Sequence, residues 1–264
     1  MTQETPLDAA HAAMQAAPDD DAIRLRFYER LAETELFMLL EAEAEEDDDT
    51  ITPELFDLGA ESCVLVFDRE ERLAAFVGRV APYVALSGRV IAGTLAGQGI
   101  GLGVNLDVAP SSILLPGSAV DWLHQTLGNT PDEVEARIAE VHPPKGLPET
   151  LIGAIDSKLA TAAGLAQRAY LVGVTYDSGA RGHMLGFVGA VPEAQGALSR
   201  AAGEALTFSG IEAGAMDIGF FDAADSVAER LDRVGLRFDL PQPETLQAVR
   251  AAPGSDPDKP PLLK

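Results

Sequence analysis

Three side chains in the second half of the sequence have the chemical types needed for acid–base catalysis: Tyr176, His183 and Asp217. A histidine acts as a general base most readily when a carboxylate orients its imidazole ring. Pairing of the strands that carry Tyr176 and His183 would bring these two together, and a neighbouring strand could add Asp217. The alternative interpretation is a structural Tyr–His pair at the end of a sheet, held by local hydrogen bonds.

The segment that must position these side chains, residues 169–190, predicts a β-hairpin with the turn-rich sequence DSGARG in its middle. With the turn centred in that sequence, Tyr176 lies opposite His183, and Gly173 lies opposite Gly186. Glycine weakens the interior of a strand, so a cross-strand glycine pair indicates that a helix or a ligand packs very close to it. Gly173 and Gly186 are therefore candidate ligand-binding residues.

A second candidate site is the glycine-rich run GQGIGLG at residues 97–103. It does not fit a dinucleotide-binding fingerprint, because the third required glycine falls on Leu102 or Val104 and the run follows a predicted helix. The run predicts a glycine-rich bend that leads into a strand. The alternative is a pocket lined by backbone amides, with Gly99 and Gly101 as its candidate residues.

The remaining reactive residue types form no recognisable site. The four histidines are scattered without metal-ligand spacing, and no Gly-x-Ser-x-Gly nucleophile elbow occurs. We therefore expect no metal and no cofactor. Cys63 is the single cysteine and lies in the apolar run CVLVF, which predicts a buried thiol and no intrachain disulfide.

The net charge of the chain argues against two classes of partner. A formal net charge of −23 over 264 residues opposes binding to nucleic acids and to anionic membranes. No apolar run is long enough to span a bilayer, and the first residues lack the pattern of a signal peptide. We expect a cytoplasmic protein whose partner is another protein or a small metabolite, in an oligomeric state that the sequence leaves open.

The composition shifts between residues 129 and 147. A capping box that begins at Thr130 predicts a short helix as far as Val141, and the segment HPPKGLP that follows predicts neither a helix nor a central strand. We therefore expect four regions: an α+β domain at 1–128, a linker at 129–147, an α+β domain at 148–240 and a disordered tail at 241–264.

The fold class predicted is α+β, with two α/β-layered domains. In the second domain, apolar periodicities of helix and strand alternate in the order αββαβαβ. This order predicts an antiparallel-rich sheet with helices on one face. The helix predicted at 192–206 carries many small residues, which suits close packing against a glycine-containing sheet.

Short segments in both halves resemble the SseB, or enhanced-serine-sensitivity, family. The segments that carry this resemblance are Arg26–Leu31, Glu35–Phe37, Val64–Asp68, Gly103–Leu106, Ala169–Val172, His183–Phe187 and Asp217–Phe221. The resemblance implies SseB-type N-terminal and C-terminal domains in a bacterial cytoplasmic protein linked to serine sensitivity. It supplies no catalytic residues.

We expect a non-enzymatic binding or regulatory protein, although the sequence establishes no molecular activity. One alternative is an enzyme of amino-acid metabolism that uses Tyr176, His183 and Asp217. Another is a structural or interaction subunit of a larger complex. An exposed apolar sheet face or sheet edge would favour the interaction role over ligand binding.

Overall fold

The computed structural model describes residues 4–42, 51–57, 62–128, 138–210 and 216–242. Two mixed sheets, each packed by helices, confirm the predicted α+β class. The predicted disordered tail at 241–264 lies outside the described residues, except for its first two positions.

The elements alternate along the chain in two series. The first comprises α1 (Pro6–Ala16), α2 (Asp21–Glu33), β1 (Glu35–Leu39), β2 (Leu55–Asp57), β3 (Ser62–Phe67), α3 (Glu70–Val77), β4 (Tyr83–Ser87), α4 (Gly88–Leu95), β5 (Gly101–Val104), β6 (Ile113–Leu115) and α5 (Gly117–Gly128). The second comprises β7 (Ile138–His142), α6 (Glu149–Ala160), β8 (Arg168–Tyr176), β9 (Arg181–Val188), a 3-10 turn (Pro192–Ala194), α7 (Gln195–Phe208), β10 (Met216–Phe221), α8 (Ser226–Val234) and β11 (Leu236–Asp239).

The first sheet has the strand order β4-β1-β3-β5-β6, with β2 also paired to β3. Only the β3–β5 pair is parallel among these strands. One face packs under α1, α2, α4 and α5 through a core that includes Phe27, Ile91 and Leu123. The other face packs against α3, and buried Cys63 lies there, as the apolar run around it predicts.

The second sheet has the order β10-β9-β8, and both β7 and β11 pair with the remaining edge of β8. Only β9 and β10 run parallel, so the sheet is antiparallel-rich as predicted. The predicted helix from Thr130 to Val141 is wrong at its end, because residues 138–142 form β7, and its earlier part lies outside the described residues. A segment expected to be part of the linker therefore supplies a strand of this sheet.

The predicted order αββαβαβ after residue 148 is confirmed, but the helices do not share one face. Helices α6 and α7 pack on the face that contains Leu171 and Leu185. Helix α8 packs on the opposite face, where its Leu231 contacts the cluster that contains Val172 and Val174. Both faces of this sheet are covered, which explains the nearly continuous apolar run in β8.

The predicted register of the central hairpin is also wrong. His183 lies opposite Gly173 rather than Tyr176, and Gly186 lies opposite Tyr170. The turn closes tightly on Tyr176, whose backbone N–H donates to the carbonyl of Ala180. The observed register differs from the predicted one by three residues. Because three is an odd number, each β9 side chain lies on the opposite face of the sheet from the one predicted relative to β8.

The expectation of close packing at the two glycines is correct, although they do not pair. The imidazole of His142, on β7, lies over Gly173, where an added Cβ would come within 2.1 Å of the ring. An added Cβ at Gly186 would lie 2.8 Å from Leu231 of α8. The neighbours that require these glycines belong to this chain, on opposite faces of the sheet.

The two halves meet along helices α6 and α7 of the second series. Phe208, at the end of α7, is buried in the core of the first half. Beside it lies a group of charged side chains that we call the interface cluster: Glu29 and Glu33 of α2, Arg89 of α4, Lys158 of α6 and Glu204 of α7. The cluster therefore joins helices from both halves.

Lys158 is the centre of the interface cluster. Its Nζ lies 2.6 Å from Glu33, 3.0 Å from Glu204 and 3.3 Å from Glu29, and only 8% of its side chain is exposed. Arg89 donates two hydrogen bonds to the carboxylate of Glu204, at 2.7 and 3.0 Å. Three carboxylates thus share two cations at the junction.

The interface cluster sets the protonation of its members. Burial alone would lower the pKa of Lys158, but its hydrogen bond to Glu33 and the surrounding carboxylates raise it. Burial would raise the pKa of Glu204, yet Arg89 and Lys158 lower it. For Glu29, burial outweighs the attraction of Lys158 and raises the pKa. Lys158 and Glu204 are therefore held in their charged forms.

The contact between His142 and Gly173 gives a test of the observed register. Because an added methyl group would overlap the imidazole, Gly173→Ala should lower the free energy of unfolding by about 1–3 kcal/mol. The loss should largely disappear in a His142→Ala background, measured by urea unfolding.

The matched control for this test is Gly153→Ala in α6, where an added Cβ meets no atom within 4 Å. It should be stabilising by about 0.5–1 kcal/mol. An equal cost of Gly173→Ala with and without His142 would contradict the packing described.

Candidate functional site

Two of the three candidate catalytic side chains lie together on the α8 face of the second sheet. The hydroxyl of Tyr176 donates a hydrogen bond to Oδ2 of Asp217, at 2.5 Å. Gly182 lies beside this contact, and an added Cβ there would lie 3.7 Å from Oδ2 of Asp217, an ordinary van der Waals distance. Burial, and then the hydrogen bond and charge of Asp217, raise the pKa of Tyr176. The phenol is therefore a donor in a structural hydrogen bond.

The third candidate, His183, is on the opposite face. It pairs with Met216 of β10, one residue before Asp217, so the side chains of His183 and Asp217 point to different sides. The Nε2 atom of His183 donates to the backbone carbonyl of Lys145, at 3.0 Å. The structure brings Tyr176 and Asp217 together but leaves His183 out, and no base–orienter pair forms.

The glycine-rich bend between α4 and β5 is closely packed on one side. An added Cβ at Gly101 would lie 2.7 Å from the carbonyl oxygen of Leu115. Gly99 is exposed, with φ of +69°, and its backbone lies against Gly117. The backbone N–H of Gly97 donates to Asp121, at 2.7 Å. The predicted bend into a strand is observed, and it packs against the start of α5.

The first half contains a buried charged group that the sequence did not predict, which we call the Arg72 cluster: Thr5, Asp8, Asp68, Arg72 and Ser111. Arg72, on α3, donates to Asp8 of α1 through both terminal nitrogens and to Asp68 at 2.7 Å. The Asp8 and Asp68 side chains are each 1% exposed, and that of Arg72 is 3% exposed.

Hydrogen bonds complete the Arg72 cluster. Asp8 also accepts from the hydroxyl of Ser111 and from the backbone N–H of Thr5, and the Thr5 hydroxyl donates to Asp68 at 2.6 Å. The Nε atom of Arg72 is the one buried side-chain polar atom of the described residues without a hydrogen-bond partner. The cluster is closed to solvent and ties α1 to the start of α3.

Only part of the Arg72 cluster had a local signal in the sequence. Thr5 and Asp8 form a capping box at the start of α1, which the sequence indicates through Thr5. The bond between Asp8 and Arg72 spans 64 residues, and no local pattern reports such a contact.

Two further findings concern the described part of the chain. It contains no group of three or more His, Cys, Asp or Glu side chains arranged to hold a metal ion. None of its helices combines the length and the apolar character that a bilayer crossing requires.

The Arg72 cluster gives a pH-dependent prediction. Burial alone would raise the pKa of Asp8, but hydrogen bonds from Arg72, Ser111 and Thr5 lower it well below its usual range. A carboxyl whose pKa is depressed by folding stabilises the protein above its unfolded pKa, about 3.9, and this contribution is lost as the pH falls. Asp8→Asn should therefore lower the free energy of unfolding at pH 7 by about 3 kcal/mol.

The same variant should flatten the loss of stability below about pH 4, measured by urea unfolding across a pH series. The control is Asp21→Asn, which removes an exposed ion pair with Arg24 and should change stability by less than about 1 kcal/mol. Equal effects of the two substitutions at pH 7 would contradict a structural role for the Arg72 cluster.

Comparison with known proteins adds a family assignment for the first half. Residues 7–122 match the family model described as the SseB protein N-terminal domain. This match begins in α1, ends in α5 and includes every strand of the first sheet. No curated protein and no solved structure gave a significant match. The first half of the chain, at residues 7–122, therefore carries a domain of the SseB N-terminal type.

Proposed function

We propose that this chain is a cytoplasmic, non-enzymatic binding or regulatory protein, with a second domain of the SseB C-terminal type. The observation that carries the proposal is the separation of Tyr176 and Asp217 from His183 by the thickness of the second sheet. An imidazole that cannot reach the carboxylate loses the orienting partner that general-base catalysis needs.

The buried charged residues support the same proposal. Asp8 and Arg72 bond each other, and Lys158 and Glu204 bond each other. Together with the buried carboxylate of Asp68, which bonds Arg72, these four supply the buried charged groups of the part of the chain that is described. Their charges serve the packing of helices, and their partners are supplied by this chain rather than by a substrate.

A second candidate, an interaction subunit of a larger complex, is favoured by one observation. Strand β10 ends the second sheet, and its Ile218, Phe220 and Phe221 are only partly buried. Partly exposed apolar residues on a sheet edge are typical of a surface that receives another protein.

The proposal is tested by turnover and ligand binding on the full chain. Purified protein would be assayed with amino acids, including serine, and with 2-oxo acids and nucleotides. We expect no turnover that depends on His183. A bound metabolite at a hundredfold excess over its Kd would stabilise the fold by about 2.7 kcal/mol, visible as a rise in melting temperature.

The matched variants are His183→Ala and, as a control, His124→Ala on the exposed side of α5. Turnover that is abolished by His183→Ala but retained by His124→Ala would overturn the proposal in favour of an enzyme. Stabilisation by a metabolite without turnover would support a small-molecule binding role.

A further inference from the structure

The outer strand β10 is the longest edge strand of the described residues, and the carboxylate of its one charged residue, Asp217, is bonded to the hydroxyl of Tyr176. Natural edge strands are protected by short length, prolines, bulges or charged side chains. Strand β10 has six residues without Pro, Lys or Arg. Strand β7 carries a register shift and leads into two prolines, and β11 has four residues with the Arg237–Asp239 ion pair.

The strands at the edges of the first sheet are also shorter than β10. Strands β2 and β6 have three residues each. Strand β4 has five and follows directly after Pro82. Among the described strands at sheet edges, β10 is therefore the longest in either sheet.

The hydrogen-bonding pattern shows which backbone groups of β10 point outward. The carbonyl of Phe221 accepts from the N–H of Gly189, so the main chain of Phe221 faces β9. In a parallel ladder, successive residues alternate in the side to which their N–H and C=O groups point. The main-chain groups of Ile218 and Phe220 therefore point away from the sheet, and no described strand pairs with them.

Apolar side chains line both faces of this edge. Ile218 and Phe220 lie on the α7 face, where Phe220 stacks on Phe187 with ring centroids 5.4 Å apart. Phe221 lies on the α8 face, and its ring covers Gly219. An added strand would bury the apolar surface of these side chains that is still exposed. It would also form hydrogen bonds with the outward main-chain groups of Ile218 and Phe220.

The acidic residues beside the outer edge of β10 indicate which kind of strand would bind there. Between Met216 and Glu229 the chain carries Asp217, Asp222, Asp225 and Glu229 and no Lys or Arg. Asp222 and Asp225 are exposed at the end of β10. A second copy of this chain would add another strongly acidic surface, with a further formal charge of −23. A basic segment would instead meet opposite charge.

We propose that the outer edge of β10 binds an extended segment of a partner protein, which adds to the sheet as a strand. The segment has apolar side chains at alternate positions and a Lys or Arg beside Asp222 and Asp225. This inference rests on the proposed binding function and names the class of partner.

The test is a selection of random nine-residue peptides displayed on phage against the full chain. Selected peptides should alternate apolar residues and be enriched in Lys and Arg. Ile218→Pro removes an outward N–H without breaking the ladder to β9, and it should weaken the binding of the selected peptides at least about tenfold. Ile218→Ala loses the same side chain but keeps the N–H, and it should weaken binding much less.

Hydrogen exchange gives a second readout that does not depend on a variant. Bound peptide should slow exchange at the amides of Ile218 and Phe220, while Gly219, which already faces β9, should change little. Melting temperatures of both variants within a few degrees of the unsubstituted chain establish that they are folded.

Several outcomes would overturn the inference. They are the recovery of no binding peptide, equal binding to Ile218→Pro and Ile218→Ala, and protection confined to another surface. Self-association of the chain that Ile218→Pro abolishes would assign the edge to a second copy instead. Each of these leaves the non-enzymatic proposal standing, because only turnover of a substrate contradicts that proposal.

Discussion

The ammonium group of Lys158 is the contact on which the joining of the two halves depends. A lysine that is only 8% exposed has lost most of its hydration, and three carboxylates replace it. Two of them come from α2 of the first half and one from α7 of the second. Removing one partner from such a group leaves uncompensated buried charge, which costs far more than losing an exposed ion pair. The packing of Phe208 into the first core accompanies this electrostatic link, with the Nζ atom of Lys158 6.0 Å from the centre of its ring.

The second sheet is fixed by close approaches as well as by charge. His142 lies over Gly173 on one face, and Leu231 lies near Gly186 on the other. These contacts hold β7 and α8 on a sheet that α6 and α7 already cover, so its two faces are buried by elements of this chain. The outer edge of β10 pairs with no described strand, and this supports the binding role proposed for the domain.

Much of the fold followed from local patterns, whereas the candidate site did not. Helix periodicities and stop signals predicted the order αββαβαβ, because each depends on residues within one element. The hairpin register depends on how the turn closes on Tyr176, and the error of three residues placed His183 on the wrong face. Strand β7 was missed because nearby prolines and a capping box outweighed a short apolar alternation. The bond between Lys158 and Glu33 joins residues 125 positions apart, and no window of sequence contains it.

The most direct test of this account is hydrogen exchange with mass spectrometry during urea unfolding of the full chain, comparing β3 of the first half with β8 of the second. The two strands should open in one transition, and Lys158→Met should lower the free energy of that transition by about 3 kcal/mol or separate the opening of the two strands. Lys145→Met, which removes an exposed lysine, should leave the single transition in place. Independent opening of β3 and β8 in the unsubstituted chain would contradict the central role of the interface cluster.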